Sequence, residues 1–337
     1  MITSLQFLRF VAASLVVLHH SIKEFSGTPA FGEFGVDIFF VISGFIMSHI
    51  TQDNHEQFFT RRLIRIVPLY WMFTGAMAVI AYLTPHLLVS VKWDVVHAVA
   101  SLVFVPWWMD TLEFEPLLPM GWTLNFEIWF YLLFYTAMQI TFVYREVTCA
   151  LLIVAIYLLT NLLPLDRTAS LSFYANSIIL EFILGMALAM LYRNKKAAFD
   201  RAPGVVVLFG VVLAFGMFYY TTYISNLHVP RFVYSGLPAG VCVMTCLCAE
   251  ESFKQFRGGV ISAVLVGGEI SYPLYLLHMF VIAALSRVVM VSPVNVVVGF
   301  LLALLLSSGL AYVISHYVDK PVRRMLSAAF LKRSVQS

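Results

Sequence analysis

Hydrophobicity in this chain comes in blocks. A helix needs about 20 mostly apolar residues to cross a bilayer core of about 30 Å. Eleven segments approach that length: about 5–22, 34–51, 66–84, 95–109, 122–143, 147–163, 174–192, 204–223, 232–249, 271–290 and 294–317. Blocks of this size restrict the chain to a membrane, because lipid leaves every backbone polar group to be satisfied within the protein. Composition agrees. The chain is 61% hydrophobic and 12% charged, with a mean hydropathy of +0.88, against about 45–50% and about 25% in soluble domains. The expected fold class is all-α, a polytopic membrane helical bundle. No hydrophilic stretch has the length of a soluble domain, so residues 1–337 read as one integral membrane domain. A net charge of +3 gives no argument for nucleic acid as a partner. The first run lacks a basic lead-in and a small-residue cleavage site, so it reads as a retained span. Cys149, Cys242, Cys246 and Cys248 lie in apolar runs without a C-x-x-C pair, which suggests buried hydrophobes rather than a zinc site or a disulfide framework.

Basic residues near span ends mark the cytoplasmic side. With the N-terminus inside and 95–109 not crossing, the inner segments hold Arg61, Arg62, Arg65, Arg145, Arg193, Lys195, Lys196, Arg201, Lys254, Arg257, Lys320, Arg323, Arg324, Lys332 and Arg333. The outer loops then hold only Lys23, Lys92, Arg167 and Arg231, while Arg9 and Arg287 fall within spans. If 95–109 crossed, everything after it would flip and most of these cations would face outward. The expected topology is therefore about ten transmembrane helices with both termini cytoplasmic, and 95–109 interfacial or re-entrant.

Polar residues inside such spans are costly, about 2.5–3.5 kcal/mol for an arginine on insertion scales, and they usually face the bundle interior or water. In "FLRFVAASLVVLHHS", Arg9 and His20 are eleven residues apart. On a helix that is about 1,100°, three turns plus roughly 20°, with a rise of about 16.5 Å. The pair shares a face at opposite depths, and His19 is rotated about 100° away. Asp37, Gly44 and Ser48 share a face of the second segment. Thr123, Glu127 and Tyr131 form a stripe on "GWTLNFEIWFY", placing Glu127, like Asp37, toward the level of His20. "FFTRRLIRIVPLYW" leads into the third segment at the level of Arg9, with Arg62 and Arg65, or Arg61 and Arg65, on one face. Ser271, Tyr275 and His278 form a further stripe. Each feature also admits a plainer reading. Arg9 can snorkel, His20 and Trp122 can be interfacial, Asp37 can favour a helix N-terminus, the arginines can anchor the inner face, and His278 can make a structural hydrogen bond.

Taken together, the residues outline a two-ended site, with arginines at the inner end and a histidine with two carboxylates at the outer end, joined by a channel of about 16 Å. Histidine titrates near neutrality and can take a proton from a hydroxyl. A carboxylate would fix its tautomer. Guanidinium forks suit phosphate. Acyl-coenzyme A has phosphates at one end and a reactive thioester on a long arm, so it fits this geometry as a co-substrate. No bound cofactor and no metal are required by the scheme.

The stretches "LQFLRFVAASLVVLHHS", "FGVDIFFVISGFIM", "FFTRRLIRIVPLYW", "GWTLNFEIWFY", "ISYPLYLLH" and "YVDKPVRR" occur in the order found in the membrane-bound acyltransferase family 3. Over nearly its full length the chain resembles that family, and most of all its stand-alone exopolysaccharide O-acetyltransferase branch. The family's R-x10-H pattern falls on Arg9 and His20, its R-x-x-R element on Arg62 and Arg65, and its W-[ST]-L-x-x-E element on Trp122, Thr123, Leu124 and Glu127. The resemblance implies a ten-span bacterial inner-membrane enzyme that transfers an acyl group, usually acetyl, from cytoplasmic acyl-CoA to a sugar hydroxyl of a surface glycan or lipid-linked saccharide. His20 is then the general base or an acyl-histidine nucleophile, with Glu127, or as second choice Asp37, orienting it. Arg9, Arg62 and Arg65 bind the CoA phosphates. Trp122, Tyr131, Tyr275 and His278 contact the acceptor. Two departures stand out: His19 doubles the motif histidine, and the chain stops shortly after the last span, so the hydrolase-like domain of some relatives is not expected. The competing reading is a saccharide or proton-coupled transporter, which sparse intramembrane charges also suit. A structural partner in a polysaccharide assembly complex is a third, and it leaves the alignment of Arg9 with His20 unexplained.

Overall fold

The computed structural model describes residues 2–27, 31–52, 56–84, 93–109, 113–220, 229–255, 258–288 and 293–331. Lys92, Arg257, Lys332 and Arg333 of the charge count, and the far ends of segments 204–223 and 271–290, lie outside them. The described residues are almost wholly helical. In chain order the helices are α1 (Thr3–Ser26), α2 (Gly35–Ile50), α3 (Phe58–Leu83), α4 (Val95–Leu102), α5 (Trp122–Ile140), α6 (Arg145–Leu162), α7 (Leu180–Asn194), α8 (Lys196–Asp200), α9 (Gly204–Tyr219), α10 (Leu237–Cys248), α11 (Glu250–Gln255), α12 (Gly259–Leu285), α13 (Pro293–Ile314) and α14 (Lys320–Phe330). Wide helical turns at Phe232–Gly236 and Ser315–Asp319 lead into α10 and α14.

Among the described residues, six helical runs are long and apolar enough to cross a membrane: Thr3–Ser26, Phe58–Leu83, Arg145–Leu162, Ser177–Asn194, Gly259–Leu285 and Val296–Phe330. Gly35–Ile50, Gly204–Tyr219 and Phe232–Cys248 are shorter apolar helices. This is a multi-pass membrane protein. Leucine, valine and phenylalanine stand exposed along α9 and α13, for example Leu208, Phe209, Leu301 and Leu305, as lipid-facing surfaces require.

Segment 95–109 does not form a crossing helix. The 8 residues of α4 rise only about 12 Å. Asp94 caps α4 by accepting from His97 N at 2.7 Å. Tyr70 and Trp71 of α3 then donate to the carbonyls of Ser101 (3.1 Å) and Leu102 (2.8 Å), which holds the segment along α3.

Two helices differ from the sequence expectation in a way that matters for the site. α3 begins at Phe58, not near 66, so the arginines belong to its first turns. Pro68 lies inside it, as membrane helices tolerate. α12 begins at Gly259 and ends at Leu285, not 271–290, which leaves Arg287 beyond the helix. Its early turns carry Gly267, Gly268 and Glu269, which dilute the apolar run.

The chain divides into two compact units. The first comprises Met1–Ile50 and Leu180–Ser315, the second Thr51–Ile179 and His316–Ser337. In the first unit, α1 packs on α12 and α2 on α7. Both seams depend on glycine. A Cβ on Gly268 would meet Gln6 Oε1 at 2.4 Å, and one on Gly44 would meet the Phe182 carbonyl oxygen at 2.2 Å. Such small residues let membrane helices approach closely. Both pairs run parallel. Phe10 lies against Gly267 while His20 lies against His278, and Phe40 against Phe182 while His49 lies against Tyr192. In the second unit, α5 packs on α6 and α3, and α14 packs on α3.

Candidate functional site

In the first unit, the α1–α12 seam carries two of the expected residues. Arg9 is buried, and its Nη1 donates to Gln6 Oε1 at 3.2 Å. That same oxygen fills the space over Gly268, so the guanidinium stands on the α12 side of α1. His20, eleven residues on, has its ring 5.2 Å from that of His278 on α12. Arg9 and His20 therefore share the face that the spacing implies. His19 touches His20 edge-on, with ring centroids 5.1 Å apart. His278 Nδ1 lies 2.6 Å from the Tyr275 carbonyl oxygen. A carbonyl only accepts, so the neutral ring keeps its proton on Nδ1. Nε2 is then a buried lone pair with no hydrogen-bond partner among the described residues. Tyr275 is buried, with its ring beside Phe39 and His278.

Asp37 is fully buried on α2, but both of its oxygens accept from Arg231, at 2.9 Å each. They are not offered to a histidine. Arg231 also donates to Glu33 at 2.5 Å. Burial alone would raise the Glu33 carboxyl, and the Arg231 guanidinium overrides it and holds the group below the usual range. Glu181 of α7 is buried as Asp37's electrostatic neighbour. Gly236 makes room for it, since a Cβ there would stand 2.8 Å from Glu181 Cγ. The sequence reading missed both Arg231 and Glu181. The signal available for Glu181 was a carboxylate inside an apolar run. For Arg231, set among outer-loop charges, there was none.

In the second unit the stripe on α5 forms as expected: Tyr131 Oη donates to Glu127 Oε1. The partners differ from expectation. Phe58 lies against Tyr131 and Phe134, so the first turns of α3 stand beside the middle of α5. Arg62 accordingly sits within the electrostatic reach of Tyr131, Glu127 and Arg65. Glu127 and Arg62 are neighbours, not residues at opposite ends of a channel. The cause is the early start of α3, which carries its arginines deeper than a lead-in segment would. Of the two possible arginine pairs, Arg62 and Arg65 are the half-buried one, while Arg61 is exposed. Tyr131 is also boxed in by Phe130, which leaves its ring faces unavailable for stacking on a sugar. Trp122 is half-buried, edge-on to Phe126.

The profile of the acyltransferase domain matches residues 2–316. The exopolysaccharide production protein ExoZ of Rhizobium meliloti is 31% identical over 280 residues, covering 80% of this chain and 83% of that protein. The O-acetyltransferase OatA of Staphylococcus aureus is 23% identical, over 95% of this chain and 57% of its own length. The acyltransferase MdmB of Streptomyces mycarofaciens is 27% identical, over 74% of this chain and 68% of its own length. No solved structure matches.

Proposed function

The chain belongs to the acyltransferase family, and on that premise we propose that it is a membrane O-acyltransferase that moves an acetyl group from cytoplasmic acyl-CoA to a sugar hydroxyl of an exopolysaccharide or other surface glycan. The activities for which its relatives are named, exopolysaccharide production and O-acetyl transfer, support the acceptor class and the reaction. Acyl-CoA is a co-substrate here, not a resident cofactor. The setting is a bacterial inner membrane crossed ten times, with both termini cytoplasmic. The parallel α1–α12 and α2–α7 pairs support it, since parallel neighbours need an odd number of crossings between them, as this path has.

The observation that carries the reading is the α1–α12 seam, where His20 meets His278 in a buried setting on the face shared with Arg9. The acceptor hydroxyl gives its proton to His20 as its oxygen attacks the thioester carbonyl. The C–S bond breaks, and the thiolate takes that proton from the imidazolium. The Nε2 lone pair of His278 suits a hydroxyl of the acceptor, beside Tyr275. Arg62 and Arg65 bind donor phosphate, and Glu127 balances Arg62 and receives the Tyr131 hydroxyl. Trp122 is the residue suited to a sugar face.

The test uses purified protein in proteoliposomes with acetyl-labelled CoA and the glycan of the producing strain. Label should enter the glycan only with the donor present. His20→Ala should cut transfer by at least about a hundredfold, the scale of general base catalysis, and His19→Ala should retain it. Saccharide flux indifferent to acetyl-CoA would replace this reading with the transporter. Equal losses from the two histidine variants would reject His20 as the base.

A further inference from the structure

The stretch "YVDKPVRR", residues 317–324, matches the family pattern and has no role in the scheme above. It forms the wide turn and the start of α14, and α14 packs on α3, the helix of Arg62 and Arg65, within the same unit. Asp319 is buried there and takes Arg323 Nη2 at 2.6 Å. The same carboxylate lies in the field of Arg65 and Lys320. One buried acid thus stands among cations from two helices.

With Arg62 and its neighbour Glu127 included, three guanidiniums stand against two carboxylates, and they bring hydrogen-bond donors with them. Arg62 Nε and Arg323 Nε are both shielded from solvent, and neither has an acceptor among the described residues. Buried N–H groups are nearly always paired in folded proteins, so two guanidinium orphans on adjacent helices point to an absent acceptor. The acceptor must be anionic, because the two local carboxylates, Asp319 and Glu127, do not balance the three guanidiniums of Arg62, Arg65 and Arg323. Guanidinium forks match phosphate oxygens best.

We propose that Arg323, held in place by Asp319, is the third guanidinium of an anion site built with Arg62 and Arg65, and that it takes the phosphate groups of the donor. The identity of the donor rests on the function proposed above. The chemistry recognised, a phosphate ester or pyrophosphate, is also found in phospholipid headgroups. Asp319 acts as the positioning residue: its pairing fixes the Arg323 fork along the helix axis and leaves Nε–H turned inward.

Full-length protein in phosphatidylcholine nanodiscs would be titrated with coenzyme A, pantetheine and inorganic pyrophosphate. Arg323→Gln should weaken coenzyme A and pyrophosphate by at least tenfold, about 1.4 kcal/mol. Pantetheine, which lacks the nucleotide phosphates, should bind both proteins alike and so report intact folding. Arg323→Lys should recover part of the affinity, and Asp319→Asn should lose a smaller factor than Arg323→Gln. Arg324→Gln, at an exposed position of the same helix, should stay within twofold of wild type. Coenzyme A bound equally by wild type and Arg323→Gln would overturn the proposal and leave the donor reading intact. Pyrophosphate binding lost in Arg323→Gln, in a protein that never binds coenzyme A, would uphold the anion site and end the donor reading. An effect seen only as lost stabilisation by phosphatidylglycerol would assign the anion to lipid and overturn the role in donor binding.

Discussion

At the scale of single residues, Arg231 shows how a membrane protein tolerates buried carboxylates. Asp37 is fully buried, and its two oxygens are met by one guanidinium fork, which also reaches Glu33. The attraction in such a pair offsets a large desolvation cost, so removing one partner is far worse than removing both. Arg231→Gln should therefore destabilise the protein by about 3–5 kcal/mol. Asp37→Asn combined with Arg231→Gln should recover much of that loss, because the buried charge at position 37 goes with its partner, and Glu33, which also loses Arg231, is exposed to water. Thermal unfolding of the three variants in detergent checks it, and a double variant no more stable than Arg231→Gln would show that the pair is not the source. Legibility at this scale was uneven. The Arg9–His20 alignment follows from helix pitch and could be read directly. The Asp37–Arg231 pair joins residues 194 positions apart, and no local spacing encodes it.

At the scale of elements, glycine decides which helices touch. Gly44 and Gly185 face each other across α2 and α7, and a Cβ on Gly185 would stand 2.1 Å from the Val41 carbonyl oxygen. Backbone cannot yield as a flexible side chain can, so the helices would have to part. Gly44→Ala or Gly185→Ala should cost about 1–3 kcal/mol, the usual range for overpacking. Gly75→Ala on α3, where nothing lies within 4 Å, should be neutral or stabilise by about 0.5–1 kcal/mol through helix propensity. Unfolding midpoints measured side by side test the contrast, and equal effects at all three sites would deny that close approach matters. Hydropathy marks the apolar middle of a helix and says little about its ends. The arginines at the start of α3 hid its first turns, and the glycines and Glu269 hid those of α12. Those hidden turns are why Arg62 meets Glu127 rather than facing it from the far side of the bilayer. The side-chain stripes on α5 and α12 were legible because they depend on helical pitch alone. The glycine seams were not, because their meaning depends on which helix lies opposite.

At the scale of the whole molecule, the direction of neighbouring helices constrains the path of the chain. α2 and α7 run the same way, and α3, α5 and α6 lie between them in sequence. If those three cross and α4 does not, α7 must enter from the same side as α2, as observed; one more crossing would have made the pair antiparallel. From α7 to α12 the parity is opposite: with α9 and α10 both crossing, α12 runs antiparallel to α7 and therefore parallel to α1, as their packing has it. The proposed orientation puts the far end of α7, which Arg193, Lys195, Lys196 and Arg201 flank, on the cytoplasmic side. In a background with the four native cysteines replaced, Asp166→Cys should react with an impermeant maleimide on intact cells, while Lys195→Cys and Lys254→Cys should react only after permeabilisation. All three positions are exposed. The first two are separated by α7 alone, so their opposite reactivity tests one crossing and the orientation together. Lys195 and Lys254 are separated by α9 and α10, so their agreement tests whether both cross. Labelling of Lys254→Cys from outside would break the even count, and with it the cytoplasmic placement of the α14 cations that the phosphate-binding role requires.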